Sequence, residues 1–378
     1  MKFETKAIHG IRYKDDKINE WGTSINMGST FQIKEYNTPQ EFEYGRLSNP
    51  TRQEFERLIA KLENGKYGFG FSSGMAAISS IFTMFKVGDH FIFGVDIYGG
   101  TYRIMNDIFS KYGFESSFVD MTDLENVKNA IKENTVGIFV ETPSNPLLDI
   151  TDIRGVVAIA KKYDLLTIID NTFMSPYLQR PLDLGADIVT HSATKFLSGH
   201  NDIIAGVVVV NDEKLAEKVQ FAQMAIGAIV APFDSWLLIR SLKTLKVRIE
   251  YAQANALKLI EFLKSHPAVE KIYFPTEDNN KGKAIHQSQA TGAGAVFSFT
   301  LKDENKVKSF FESLKVAVFA VSLGGVETLV THPSSMTHTE IPENEKNARG
   351  ITNALIRVAV GLENIDDLIA DFKQALER

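Results

Sequence analysis

Between residues 90 and 210 the chain repeats one unit: a short run of apolar residues, a polar turn, then an amphipathic stretch. The runs are "HFIFGV", "SSFVD", "VGIFVE", "LLTIID", "DIVTH" and "IAGVVVV", with helical stretches such as "LENVKNAIKEN" and "DIRGVVAIAKKY" among them. A strand with one wet face alternates apolar and polar residues, whereas one covered on both faces is apolar throughout. Continuously apolar strands alternating with helices predict an α/β architecture, a mainly parallel sheet with helices on both faces. Thr151 is the candidate N-cap of the helix after "VGIFVE".

Upstream, "PTRQEFERLIAKLENG" places Phe55, Leu58, Ile59 and Leu62 on one helical stripe, closed by Gly65. "SSGMAAISSIFTMFKVG" predicts a helix behind Ser72 and Ser73 that runs to Gly88. Residues 1–46 show little periodicity and read as an N-terminal arm. Beyond Pro232 one long helical pattern continues through "DSWLLIRSLKTLKVRIEYAQANALKLIEFLKSH". "GAVFSFTL" and "LIRVAVGLE" then read as strands of a smaller α+β unit. The expected division is an arm (1–46), a large domain (47–235) and a C-terminal small domain (236–378), joined rigidly by the long helix.

Composition removes several classes. The 378 residues include no cysteine, which excludes disulfides, thiolate metal sites and a catalytic thiol. A net charge of −6 offers no basic footprint for nucleic acid or an anionic membrane. The first residues carry no apolar leader, and the longest apolar run is too short to span a bilayer. A cytoplasmic protein is expected.

Open α/β sheets place ligands at the carboxyl ends of their strands. There the sequence offers Asn145, in a loop stiffened by Pro143 and Pro146, then Asp170, then Ser192, Thr194 and Lys195. Singly, these are a turn amide, a helix cap and a solvated lysine. Together they suit one cofactor. A lysine condenses with an aldehyde, a carboxylate keeps a pyridine nitrogen protonated, and a helix N-terminus with hydroxyls binds phosphate. Gly74 and Met75 open such a helix, and Tyr98, after "HFIFGV", can stack on a ring. The set points to pyridoxal 5'-phosphate. The glycines of "GFGFSSG" superficially copy a dinucleotide fingerprint, with Asp96 beyond. Their spacing is wrong, however, and a helix rather than a strand is read before them. His191, His200, His332 and His338 have no framing carboxylates, so no metal is expected.

The chain resembles the Cys/Met-metabolism family of fold-type I pyridoxal-phosphate enzymes, which includes cystathionine lyases, cystathionine synthases and methionine γ-lyases. The likeness runs from "YGRLSNPTR" through "SSGMAAI", "DIYGGTYR", "ETPSNPLL", "IIDNTFMSPYLQRPLDLGAD", "HSATKFLSGHNDIIAG" and "SLGGVETLVTHPSSMTH" to "ALIRVAVGLE". It implies an aspartate-aminotransferase-like large domain, with Lys195 and Tyr98 as catalytic residues. By the same likeness Lys195 carries the cofactor, Asp170 pairs with the pyridine nitrogen and Tyr98 stacks on the ring. Asn145 meets the ring hydroxyl, and Gly74, Met75, Ser192 and Thr194 bind phosphate. Tyr44 and Arg46 reach a neighbouring subunit's phosphate, which implies a homo-oligomer, usually a tetramer, with shared sites. Arg357 holds the substrate α-carboxylate and Ser322 places the lysine.

Glu43, Arg103 and Glu327 occupy positions that define the distal pocket in cystathionine-handling members. Cystathionine has a second zwitterionic head, which requires a cation and an anion. "YGGT" stands where methionine lyases resemble "YGCT". The expected activity is cleavage of cystathionine by γ- or β-elimination. γ-Replacement on an O-acylhomoserine and a methionine γ-lyase-like activity are the alternatives within the family. A nicotinamide-dependent oxidoreductase and a non-catalytic homologue are the alternatives outside it. Gly45 in place of the usual serine, and "SINMGSTF" without the common Pro-Ile-aromatic run, depart from the family pattern at the entrance.

Overall fold

The computed structural model describes residues 1–11, 22–339, 341 and 343–378. Residues 12–21 of the expected arm therefore lie outside the described residues. The apolar runs form strands, preceded by one that the sequence did not suggest. In chain order these are β1 (Tyr67–Phe71), β2 (His90–Gly94), β3 (Glu115–Val119), β4 (Thr135–Glu141), β5 (Leu166–Asp170), β6 (Ile188–Ser192) and β7 (Gly206–Val210). They build one seven-stranded sheet in the order β1-β7-β6-β5-β4-β2-β3. All neighbours from β6 to β3 pair in parallel, and β7 runs antiparallel to both β1 and β6.

Two-sided burial explains the unbroken apolar runs. Ile168, Ile188 and Val208 face a core with Phe82 and Phe91, whereas Ile169 packs with Val156 and Ile159 on the other side. Val189, Val207 and Val209 meet Leu58, Leu238 and Leu242. A second, five-stranded sheet comprises β8 (Val269–Tyr273), β9 (Val296–Leu301), β10 (Val318–Phe319), β11 (Leu329–Thr331) and β12 (Leu355–Ala359), in the order β10-β11-β12-β9-β8. Its core is aromatic, with Phe297, Phe299, Phe310 and Phe372. Among the described residues no helix is long and apolar enough to cross a membrane.

Several boundaries differ from expectation, each for a local reason. The arm contains a helix, Phe3–His9, because Ala7 buries itself in the core with Phe55 and Leu58. The helix after Ser73 stops at Phe82, well short of Gly88. The chain turns there and lays Phe85 edge-on against Phe91, ring centroids 4.7 Å apart. Thr151 does not cap the next helix: Asp152 holds the N-cap position, and the Thr151 N–H donates to Thr142 Oγ1 at 3.0 Å. The long helix is two, Pro232–Leu242 and Leu245–Ser265. The chain turns at Lys243 and Thr244, where Ser241 O accepts from Thr244 N at 3.1 Å and from the buried guanidinium of Arg248 at 3.0 Å.

The helix read before "GFGFSSG" is present, as Pro50–Leu62, but the strand after it was missed: Gly68 and Gly70 lie inside β1. The strand–helix order of a dinucleotide site is thus present, but these glycines serve packing. A Cβ on Gly68 would stand 2.3 Å from Glu56 O, and one on Gly70 2.6 Å from Val230 Cγ1. They let the helix Pro50–Leu62 lie directly on the strand. Gly68→Ala must push backbone from backbone, and overpacking of this kind costs about 1–3 kcal/mol. Its urea midpoint is expected to fall with an unchanged slope; a midpoint equal to that of the parent protein would contradict the contact.

Candidate active site

Strand register sets the level of the site. Glu141 on β4 pairs with Asp170 on β5, and Asp170 pairs with Thr190 on β6. Above these ends lies a cavity of about 470 Å³, closed from the other side by residues near the second sheet. Lys195, Asp170, Asn145, Tyr98, Gly74, Met75, Ser192 and Thr194 all line it, as do Ser322, Arg357 and Arg103.

Lys195 sits in a tight turn beyond β6. Its carbonyl accepts from Gly199 N at 2.8 Å, and Phe196 O accepts from Arg248 at 2.9 Å. The Lys195 Nζ donates to Ser322 Oγ at 2.6 Å. Ser322 comes from the segment between β10 and β11 and holds φ +91°, a region that non-glycine residues rarely enter. Such strain at a side chain facing the reactive amine marks a position that the fold enforces. Burial, and then the nearby Arg357 charge, pull the Lys195 pKa down to about 8.

Asp170 is 8 % exposed, and burial pushes its carboxyl upward. Opposing that, Thr172 donates both its N–H and its hydroxyl to Asp170 Oδ1, and His191 adds a favourable charge. Thr172 Oγ1 also accepts from Ser192 N at 2.9 Å, so one hydroxyl ties the end of β5 to that of β6. Thr172 was not among the sequence candidates. Its only signal was its place two residues beyond a strand-end aspartate.

The start of the helix Gly74–Phe82 forms an anion cradle. Ser73 Oγ accepts from Ala76 N at 3.0 Å and caps the helix. A Cβ on Gly74 would stand 2.9 Å from Ser192 Cβ, so the missing side chain brings the helix start against the serine. Thr194 lines the cavity with its hydroxyl already engaged, donating to Ala205 O at 3.2 Å and accepting from Ala205 N at 3.0 Å.

Arg357, on β12, is buried. It donates to Asn145 Oδ1 at 2.9 Å, Ser322 O at 2.8 Å and Thr331 Oγ1 at 3.2 Å. Its Nε has no partner among the described residues, and burial lowers its pKa to about 10 against the pull of Glu141. A buried guanidinium with an unfilled donor beside a cavity is suited to a carboxylate ligand.

Four expected residues stand apart from this chain's cavity. Arg46 lies 5.5 Å over the Tyr44 ring and donates to Met224 O at 2.5 Å. Glu43 accepts from Gln40 N at 3.4 Å, and Glu327 accepts from Asn201 Nδ2 at 2.7 Å. His191 is engaged by Glu63 at 2.6 Å, and among the described residues no group of three or more His, Cys, Asp or Glu could hold a metal.

The donor set suits pyridoxal phosphate: an amine of lowered pKa, a cradle that a Cβ would fill, an acid beside it and a half-exposed aromatic. Residues 4–377 match the family described as Cys/Met metabolism PLP-dependent enzyme. The chain belongs to that family. It is 47% identical over 374 residues to a cystathionine beta-lyase of Bacillus subtilis, covering 99% of this chain and 96% of the relative. A cystathionine gamma-lyase of the same organism is 45% identical over 377 residues, covering 100% of both. The structure of cystathionine gamma-lyase from Lactobacillus plantarum complexed with L-serine superposes with a TM-score of 0.96 at 46% identity, covering 100% of this chain and 99% of that one. The protein is thus a pyridoxal-phosphate-dependent enzyme of fold type I.

The depressed Lys195 amine gives a direct expectation. In the cofactor-free protein, labelling of Lys195 by an amine reagent should reach its midpoint near pH 8 rather than at the ordinary 10.5. The linkage runs the same way. The penalty for burying the charged amine is full below about pH 8 and vanishes above 10.5, so this group's contribution to stability rises between them. Lys195 labelling in step with the surface lysines would contradict its burial.

Proposed function

We propose that the enzyme cleaves cystathionine by β- or γ-elimination, releasing a thiol amino acid, a keto acid and ammonia. The observation that carries this reading is the pair of arginines on one cavity, Arg357 deep on β12 and Arg103 on the opposite helix. Cystathionine has two amino-acid heads, and each carboxylate then meets its own guanidinium. The likeness to named cystathionine lyases supports the same reading.

Lys195 is assigned as the cofactor's attachment point. Gly74, Met75, Ser192 and Thr194 would hold its phosphate, Asp170 its ring nitrogen, Asn145 its ring hydroxyl and Tyr98 its face. When bound, pyridoxal phosphate supplies an electron sink for charge formed at a substrate's Cα. The chain supplies orientation and proton movement. Arg357 and Asn145 fix the α-carboxylate and so aim the Cα–H. The Lys195 amine, neutral from about pH 8 upward, takes that proton, and the 2.6 Å bond to Ser322 keeps it on station. Asp170, whose anionic form the two Thr172 hydrogen bonds favour against burial, would keep a proton on the ring nitrogen. Arg103 reads the carboxylate of the distal head, while Glu327, proposed for the ammonium of that head, stands outside the cavity and is held by Asn201. Glu43, Tyr44 and Arg46 are assigned to the cavity of a neighbouring copy, which makes the working enzyme a homo-oligomer with shared sites.

Incubation with cystathionine should yield a keto acid, pyruvate for β-cleavage or oxobutyrate for γ. Consumption of an O-acylhomoserine with cysteine, and no keto acid, would support γ-replacement instead. Arg103→Ala should lower kcat/KM for cystathionine by roughly tenfold to a hundredfold, the effect of one charge-assisted hydrogen bond. It should barely change kcat/KM for homocysteine, whereas Arg357→Ala should harm both. Equal loss on both substrates in Arg103→Ala would contradict the two-headed reading.

A further inference from the structure

One carboxylate on the cavity has no part in the reading above. Glu141 ends β4 in register with Asp170, so two acids stand side by side on adjacent strands, and both line the cavity. Glu141 Oε2 accepts from Tyr98 N at 2.9 Å. That bond falls at the residue before the helix Gly99–Arg103, where the backbone of the stacking tyrosine is set. One edge of the ring lies against Gly100, where a Cβ would stand 2.4 Å from Tyr98 Cε1. Glu141 therefore fixes the turn that carries the ring.

The two acids differ in what holds their charge. Asp170 takes two hydrogen bonds from Thr172 and faces His191, all of which favour its anion. Glu141 takes one backbone N–H. Facing it are Asp170 on β5, Asp96 beyond β2 and Arg357 on β12. Burial and then the Asp170 charge raise its pKa well above the carboxylate range, against weaker opposition from the Tyr98 N–H and Arg357. Neighbouring buried carboxylates do not both ionise readily.

We propose that Glu141 is a positioning residue that keeps the single proton of the Glu141–Asp170 pair and tethers the Tyr98 turn, leaving the negative charge at the cofactor ring to Asp170 alone. A neutral acid still accepts the Tyr98 N–H through its carbonyl oxygen, so tether and proton are compatible. This assignment rests on the proposed placement of Asp170 and Tyr98 about the cofactor.

The test uses the holoenzyme and two readouts other than turnover, namely the cofactor dissociation constant and the pH midpoint of the bound cofactor's visible absorbance. Glu141→Gln keeps the shape and the acceptor without a charge. Its midpoint should stay within about half a unit of the parent and its dissociation constant within about threefold. Glu141→Leu keeps the volume and removes the acceptor. Its dissociation constant should rise about tenfold, the scale of one lost hydrogen bond. A Glu141→Gln midpoint that moves by more than about half a unit would show that a charge was removed, and would overturn the proton assignment. Parent-like affinity in Glu141→Leu would overturn the tether. Asp170→Asn separates the underlying placement: its midpoint should move by about a unit or more. No movement would mean that Asp170 does not face the ring, and the proposal falls with that placement whatever Glu141 does.

Discussion

Parallel pairing of β4, β5 and β6 brings Glu141, Asp170 and Thr190 to one level, with Ser192 two residues further on the same face. A strand's side chains alternate between faces, so a slip of one residue would turn Asp170 into the core and Ile169 into the cavity. The apolar runs beneath prevent that slip. Ile168 and Ile169 pack into different cores on the two sides of the sheet, and neither can exchange places with a carboxylate. The chemistry at the strand ends is thus held in place by hydrophobic burial below them.

The second sheet completes the site through two direct links. Ser322 receives the Lys195 amine, and Arg357 donates to Asn145, so a residue near β12 meets one near β4 and another meets the turn after β6. Both links place cations away from water. Their desolvation is offset by oxygens that accept hydrogen bonds rather than by full ion pairs: Ser322 Oγ for Lys195, and Asn145 Oδ1, Ser322 O and Thr331 Oγ1 for Arg357.

The sequence carried most of the large sheet, because β2, β5 and β7 are largely apolar runs that two-sided burial explains; β3, with Glu115, Ser116 and Ser117, lies at the sheet's edge and is only partly buried. β1 was hidden because its glycines suppress both strand and helix signals. β8, β10 and β11 carry no period long enough to read, and the 243–244 break falls inside an apolar pattern that continues through it. Among site residues, Lys195, Asp170 and Asn145 were legible as polar groups that end apolar runs. Thr172 and Glu141 were not, since a threonine in a turn and a glutamate at a strand end are ordinary surface choices until the register shows what they face. Glu43, Tyr44 and Arg46 came from family likeness alone, and this chain's own geometry leaves them away from its cavity.

The central claim is that Lys195 is the amine that carries pyridoxal phosphate. Borohydride reduction of the holoenzyme, followed by proteolysis and mass mapping, tests it most directly. The account predicts one cofactor-modified peptide per chain, with the added mass on Lys195. Modification of any other lysine, with Lys195 recovered unmodified, would contradict it.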